Sequence, residues 1–473
     1  MKTKVLAIDI GASSGRGILG EYQDGMLTTR EIHRFENVPV KDKNMLCWDI
    51  ERLMREIRAA VEKADGIESL AFDAWGVDFG MLDGDGELVA KPVHYRDERT
   101  KDSIKKAFGI MPAAELYRET GNQMLSFNTL YQLLCTNLEG VDKILFMPDL
   151  FAYLLCGAAF CEYSVASTSQ MLNPVTRSWS LKTLKAFQID DDLFAPLIKS
   201  GTVIGEYQGV KVIAVAGHDT QCACAAMPAD PCETAAFLSC GTWSLLGCEL
   251  DEPVLTGRSK RLELSNEIGA NGKINYLKNI TGLWLLQETR RQYRREGREY
   301  GFAEIEAMAR DAAPWKSAVD PDDERFLTGG NIPKKIREYC KETQQPVPQT
   351  DAEVFRCIYD SLALKYRFAL EQIETITKKH FTTLHILGGG AKDSLLCQTA
   401  ATCCRVRVAA GPVEATAMGN IIIQLIALGK LKDVEQGRML IRNTQKIAYY
   451  LPAPDDVWEQ KYSSFKERLM KQF

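Results

Sequence analysis

Twice along its 473 residues the chain spells one order of elements: a short apolar strand, a turn of small residues, a returning strand, a third strand and a helix. In the first copy, Val5–Ile10 reads as a buried strand that delivers one carboxylate, Asp9, near its end. Gly11-Ala12-Ser13-Ser14-Gly15-Arg16 makes the turn, Gly17–Tyr22 returns, and Leu27–Phe35 adds a third strand. Asp49–Lys63 then places Ile50, Leu53, Met54, Ile57 and Val61 at helical spacing. In the second copy, Thr234–Ser239 runs into Cys240-Gly241-Thr242, and Trp243–Glu249 returns. Lys273–Leu277 follows an Asn271-Gly272 turn, and a helix is expected from about Gly282 to Arg295. Only the pattern is repeated, not the letters. It predicts an α/β chain built from two similar halves, 1–233 and 234–473, with the break at Met227-Pro228-Ala229-Asp230-Pro231.

Other elements fall between and after these copies. Ile67–Phe72 is a strand that leads into Asp73-Ala74-Trp75-Gly76-Val77-Asp78, and Asp83-Gly84-Asp85-Gly86 predicts the turn of a further hairpin. Thr350-Asp351-Ala352-Glu353 fits a capping box opening a helix over Ala352–Lys378. Leu384–Leu387 is a strand that ends in Gly388-Gly389-Gly390.

A content of 45% hydrophobic and 26% charged residues is that of a globular protein, and a net charge of −5 argues against a nucleic-acid partner. The basic run Arg290–Arg295 reads as the solvated end of a helix. Asp9 interrupts the first apolar stretch before it reaches the length of a signal-peptide core. The densest apolar segment, Ile421–Leu428, is too short to span a bilayer, so no membrane partner and a cytoplasmic location are expected. None of the fourteen cysteines forms a Cys-x-x-Cys. Cys222-x-Cys224 beside His218 has the only ligand-like spacing, and buried single thiols are the better reading. Cys340 and Cys357 meet if the loop between them folds back, as a free pair in a reducing compartment.

Three glycine-bearing turns at strand ends, 11–15, 240–242 and 388–390, suit phosphate, because small residues let backbone N–H groups approach a polyanion. No Gly-x-x-x-x-Gly-Lys-Ser/Thr occurs, and none of the three turns is itself a Gly-x-Gly-x-x-Gly fingerprint, so neither a Walker loop nor a dinucleotide site is expected. The remaining geometry is a nucleotide gripped by one hairpin turn from each half. Ser13, Ser14 and Thr242 would add hydroxyl donors, and Gly388–Gly390 would let adenosine lie against the backbone. Asp9 is a candidate Mg²⁺ partner through water, since Mg²⁺ keeps much of its hydration shell. Val212–Ala216 is another buried strand and ends in Gly217-His218-Asp219-Thr220. Phosphoryl transfer to an alcohol needs a base for the hydroxyl proton, and Asp219 is the choice for that role. Asp73, Asp78 and Asp97 compete for it on composition, and His218 reads as structural. Trp75, Trp243 and Trp284 either flank a sugar ring or pack in the core.

In this order, Asp9–Arg16, Trp75–Phe79, Tyr95–Thr100, Phe127–Leu133, Met147–Asp149, His218–Thr220, Gly241–Ser244, Lys278–Gln287, Gly388–Gly390 and Ala410–Ala415 resemble the FGGY carbohydrate kinases over essentially the full length. The wider family usually has Thr after the first glycine of the opening motif. Ala12 followed by Ser13-Ser14-Gly15-Arg16 is instead similar to the branch that phosphorylates L-rhamnulose. The resemblance implies two actin-like (ribonuclease H-like) ATPase domains with the active site in the cleft between them, ATP and Mg²⁺ as co-reactants, and L-rhamnulose or a related ketose as acceptor. Matched by motif, Asp219 is the proton acceptor, and Gly76, His218, Asp219, Thr220 and Asn279 are sugar-side residues. Ala12, Ser13, Ser14, Gly15, Arg16, Thr242, Gln287 and Gly389 are nucleotide-side, and Asp9 is the metal-proximal carboxylate. The alternatives are a kinase of fuculose, ribulose or xylulose, and an actin-like ATPase with no sugar substrate.

Overall fold

The structure, a computed structural model, describes residues 2–454 and 457–470. Two compact units emerge. The first comprises Met1–Pro228, Glu249–Tyr276 and Ala415–Thr444, and the second Ala229–Cys248, Leu277–Glu414 and Gln445–Phe473.

The first unit is organised on a six-stranded sheet in the order Thr202–Tyr207, Val210–Ala214, Ser69–Ala74, Thr3–Ile10, Ser14–Gln23, Met26–Glu36. Val5, Leu6, Ala7 and Ile8 are fully buried, as a central strand covered on both faces requires. Thr3–Ile10 pairs antiparallel with Ser14–Gln23, setting Asp9 opposite Arg16. On its other edge it pairs parallel with Ser69–Ala74, which sets Asp9 opposite Asp73. The helix Ile50–Glu62 starts where the Asp49 carboxylate accepts from Arg52 N, and it buries the predicted apolar face. Gly17 lets this helix approach closely: a Cβ there would stand 3.0 Å from that of Ala60.

The apolar run near Ile421 is a core helix, Ala415–Ala427. Ile421, Ile422 and Leu425 pack with Val5, Ala7 and Ile18 of the first unit's sheet. A Cβ on Gly20 would clash with Ile421 Cδ1 at 2.8 Å, and one on Gly419 with the Cys222 carbonyl at 1.7 Å. The helix Asp219–Ala225 and the helix Ala415–Ala427 therefore touch backbone to backbone at a position only glycine can fill. Polar pegs fix the registry: Ser69 Oγ donates to Gln424 Oε1 at 2.7 Å, and Gln424 Nε2 donates to the Leu6 carbonyl at 3.0 Å.

In the second unit the strands run in the order Ile274–Thr281, Trp243–Leu250, Ala235–Cys240, Thr383–Leu387, Arg407–Ala410, Ala448–Tyr450. Ala235–Cys240 pairs antiparallel with Trp243–Leu250 and parallel with Thr383–Leu387, as its counterpart does in the first unit. The helix Asp351–Thr377 opens on the expected capping box at Thr350 and Glu353.

One expectation needs adjustment. The Asp83–Gly86 turn forms, with Gly86 N donating to the Asp83 carbonyl at 3.0 Å. Phe79–Leu82 nevertheless takes its ladder from Lys143–Phe146, and the strand across the turn is reduced to one Leu82–Leu88 bridge. Pro92, with no N–H to donate, follows that bridge closely and leaves no length for a strand. No helix among the described residues is long and apolar enough to cross a membrane.

Candidate active site

Each unit gathers its own share of the singled-out residues. In the first unit, Gly217 and His218 continue the strand Val210–Ala214 beside the end of Ser69–Ala74. Ala74 N donates to the Gly217 carbonyl at 2.8 Å, and Ala74 and His218 form a parallel bridge. Asp219 comes next, as the first residue of the helix Asp219–Ala225. The sheet end thus presents Asp219 at the C-terminal edge of its strands, where α/β sheets bind ligands. Its Oδ1 accepts from Thr220 N at 2.5 Å and from Thr220 Oγ1 at 3.3 Å, and its side chain remains 32% exposed. Partial burial raises its pKa above the ordinary carboxylate value; His218 opposes the rise and the Asp9 charge adds to it.

His218 is buried, with Nε2 3.5 Å from Asp219 Oδ1 and Nδ1 3.0 Å from Glu267 Oε2. Burial disfavours its protonated form, but the Glu267, Asp219 and Glu162 carboxylates, Glu267 foremost, together outweigh burial and the net pKa is raised. Asp9, at the end of the leading strand, is bound by Arg16 Nη2 at 2.5 Å. Its neighbour in register, Asp73, accepts from Asn420 Nδ2 at 2.7 Å through Oδ2, while Asp73 Oδ1 is buried with no hydrogen-bond partner. Burial first, and the Asp9 charge second, push the Asp73 carboxyl far up.

The turn of the opening hairpin is tied down through its carbonyls. Gly11 N donates to Ser14 O at 2.9 Å, Asn37 Nδ2 to Gly11 O at 2.9 Å, and Asn37 N to Ser13 O at 3.0 Å. Ala12, Ser14 and Arg16 are half-buried, Ser13 is exposed, and Gly15 lies under the Phe35 ring. Gly76 is half-buried, and a Cβ there would meet Thr168 Oγ1 at 2.9 Å. The next residue, Val77, holds a left-handed φ of 68°, costly for a β-branched side chain. Thr168 Oγ1 accepts from Val77 N at 3.1 Å and Thr129 Oγ1 donates to Val77 O at 2.7 Å, which offsets that strain.

Two rival aspartates are committed elsewhere. Asp78 accepts from Trp48 Nε1, Trp75 Nε1, Tyr95 N and Gln132 Nε2, at 2.7 to 3.1 Å, and burial lifts its pKa to about 6. Asp97 accepts from Leu46 N at 2.7 Å and from Arg99 N at 3.0 Å. Trp75 is a core residue against Trp48, ring centroids 4.1 Å apart. Trp284 donates to the Phe326 carbonyl at 3.0 Å.

In the second unit, Gly241 N donates to Trp243 O at 2.8 Å, and the turn docks on the following helix through Leu283 N to Gly241 O at 3.0 Å. Gly282 makes this approach possible: a Cβ there would lie 2.5 Å from Ser244 Oγ. Thr242 Oγ1 donates to Gln287 Oε1 at 3.4 Å, so two predicted nucleotide-side residues meet. The third turn joins them, with Gly388 at φ +81° and 3.4 Å between its virtual Cβ and the Cys240 carbonyl. Gly389 is exposed, and Gly390 packs where a Cβ would overlap Cys240 Sγ at 2.3 Å. Asn279 is half-buried on the strand Ile274–Thr281.

Fourteen free thiols are present, and the Cys357 thiol lowers the pKa of the Cys340 thiol. Among the described residues no group of three or more His, Cys, Asp or Glu side chains is arranged to ligate a metal directly. Sequence reasoning missed Glu267, which bonds the His218 ring, and Gln221 and Asn275, which continue the hydrogen-bond chain from Glu267. An acid within Ser265-Asn266-Glu267-Ile268 looks like a solvent-facing strand position, and nothing local in the spelling marks it as buried.

Two units, each with a glycine turn between antiparallel strands beside a parallel neighbour, make the two-domain actin-like (ribonuclease H-like) α/β fold of a phosphotransferase. The N-terminal domain model of the FGGY family of carbohydrate kinases matches residues 4–230, and its C-terminal domain model matches residues 236–428. The chain belongs to the FGGY family of carbohydrate kinases, and it is an ATP-dependent enzyme of that class. It is 39% identical to a rhamnulokinase of Bacteroides thetaiotaomicron, over 98% of this chain and 99% of that one. It is 37% identical to a rhamnulokinase of Bacillus subtilis, over 95% and 96%. In fold it is similar to a ligand-bound xylulose kinase from Lactobacillus acidophilus, with a TM-score of 0.77 at 16% identity over 98% and 97% of the two chains. It is also similar to Plasmodium falciparum glycerol kinase with ADP, with a TM-score of 0.74 at 14% identity over 99% and 98%.

Proposed function

We propose that this kinase transfers the γ-phosphoryl group of ATP to O1 of L-rhamnulose, giving L-rhamnulose 1-phosphate and ADP, as a cytoplasmic step of L-rhamnose catabolism. Residues 1–233 serve as the sugar-binding domain and 234–473 as the nucleotide-binding domain. The carrying observation is Asp219, a partly exposed carboxylate at a sheet edge with a buried imidazole 3.5 Å away. The likeness to rhamnulokinases over nearly the whole chain and the Ala12-Ser13-Ser14 spelling of the opening turn support the choice of sugar.

In this mechanism Gly76, His218, Thr220 and Asn279 hold the ketose, and Asp219 accepts the O1 proton as O1 attacks the γ-phosphorus. The bond from that phosphorus to the β–γ bridging oxygen breaks, and ADP leaves with its electron pair. Ala12, Ser13, Ser14, Gly15, Arg16, Thr242, Gln287 and Gly389 hold the nucleotide, their N–H, hydroxyl and guanidinium donors meeting the phosphate charge. The donor set fits Mg²⁺: Asp9 and Asp73 stand side by side in register, Asp73 has an unmet buried oxygen, and hard carboxylates suit a hydrated hard cation. Asp9 would hold the ion through water, and the ion when bound neutralises charge on the β- and γ-phosphates.

An ADP-release assay across L-rhamnulose, L-fuculose, L-ribulose and D-xylulose tests this reading. L-Rhamnulose should give the highest kcat/KM. A higher value on another ketose overturns the sugar assignment, and release that is indifferent to any sugar overturns the kinase mechanism in favour of a bare ATPase.

A further inference from the structure

Glu267 lies in the first unit on the strand Ser265–Ile268 and is only 3% exposed. One oxygen, Oε2, accepts two hydrogen bonds, from His218 Nδ1 at 3.0 Å and from Gln221 Nε2 at 2.7 Å. Gln221 stands on the helix that Asp219 begins, and its own Oε1 accepts from Asn275 Nδ2. The strand is fastened on either side of Glu267: Ile268 N donates to Ser167 Oγ at 3.0 Å, and Asn266 Nδ2 donates to the Gly121 carbonyl at 3.0 Å. A buried carboxylate so placed must be compensated by its partners.

A carboxylate only accepts, so Nδ1 of His218 carries a proton and the ring turns Nε2 toward Asp219. We propose that Glu267 is a positioning residue for phosphoryl transfer: it fixes the tautomer and plane of His218, and through Gln221 the first turn under Asp219, so that imidazole and base face one sugar hydroxyl. This inference rests on Asp219 as the proton acceptor. The charged groups facing the imidazole are Glu267, Asp219 and Glu162, the last of which accepts from Gly217 N at 2.9 Å. Glu267 is the one bonded to the ring nitrogen and to the base-bearing helix together.

Glu267→Gln separates placement from charge, because one amide oxygen is able to accept both hydrogen bonds. Glu267→Leu removes both. The test measures sugar and ATP kinetics by ADP release, melting temperature, and the His218 titration by ¹⁵N imidazole NMR, in wild type, both Glu267 variants and Asp219→Asn. Glu267→Leu should lower kcat/KM for the sugar by about 10²-fold with little change in KM for ATP, the cost of a small misplacement at the reacting atoms. Glu267→Gln should recover most of that loss, while the His218 midpoint falls by about one pH unit. An unshifted His218 midpoint in Glu267→Gln overturns the proposal, and so do sugar and ATP parameters that decline together with melting temperature. If the Leu variant does not fold, the Gln variant's midpoint and sugar kinetics decide. Full turnover in Asp219→Asn defeats the base assignment itself. Loss in Asp219→Asn with wild-type sugar kinetics in a folded Glu267→Leu defeats only the positioning role.

Discussion

In the first unit Gly11 N donates to the Ser14 carbonyl at 2.9 Å; in the second Gly241 N donates to the Trp243 carbonyl at 2.8 Å. Both turns follow a strand that has an antiparallel partner on one edge and a parallel partner on the other. Two residues before each glycine, the side chains differ. Asp9 stands beside Asp73 in the first unit, whereas Ser239 stands beside Leu387 in the second. One backbone plan therefore carries an acid pair in one copy and a neutral pair in the other. Two neighbouring carboxylates repel each other and attract a cation, while a neutral turn offers donors to phosphate with no competing negative charge. The acid pair suits a cation at the first turn, and the neutral pair suits phosphate at the second.

The sharpest way to break this contrast is Asp219→Asn. It should lower kcat by about 10²–10⁴-fold with ATP affinity nearly intact, read as sugar-dependent ADP release alongside ATP binding. A variant with near wild-type turnover ends the assignment. The same carboxylate sets a pH dependence: its raised pKa places the acid limb of kcat/KM above the ordinary carboxylate range, and activity falls as pH drops through it. Asp9→Asn comes next. A drop of about 10²-fold in kcat with a higher Mg²⁺ requirement is expected from a Mg²⁺ titration; an unchanged requirement would remove Asp9 from the metal.

Thr242→Val tests the neutral turn. Losing one hydroxyl near a charged phosphate should raise KM for ATP by about tenfold and leave the sugar KM in place. Equal changes in both would blur the division between the turns. The smallest effect concerns stability. The folded pKa of Asp73 is raised, so its contribution is fully present below the unfolded carboxylate value and is lost as pH rises through the folded value. Asp73→Asn should therefore raise the melting temperature by a few degrees at neutral pH, with the gain vanishing at acid pH where wild-type Asp73 is protonated. A gain independent of pH would show that repulsion within the acid pair is not its source.

Much of this was legible in the letters because it is local. The two hairpins, the helix capped by Asp49, the Thr350 capping box and the strand leading to Asp219 each depend on neighbours within a few residues. The Asp83–Gly86 turn was legible too, but the strand partner across it was not, since Lys143–Phe146 won the ladder from far along the chain. The candidate site was legible as a set of residue types at strand ends. Its supporting contacts were not: Glu267 on His218, Gly282 on Ser244 and Gly390 on Cys240 join segments tens to hundreds of residues apart.

By itself the sequence determined the element types, the small-residue turns and the acids offered at strand ends, because propensity, alternation and capping act over a single turn or strand. Only the tertiary structure decided that the helix Ala415–Ala427 closes the first unit's core through Gly20 and Gly419, and that the rival carboxylate Asp78 is consumed by two tryptophans. It also decided that Glu267 is buried on His218 rather than exposed on a strand. Burial and hydrogen-bond partners are properties of neighbours in space, and close packing chooses those neighbours only once the whole chain has folded.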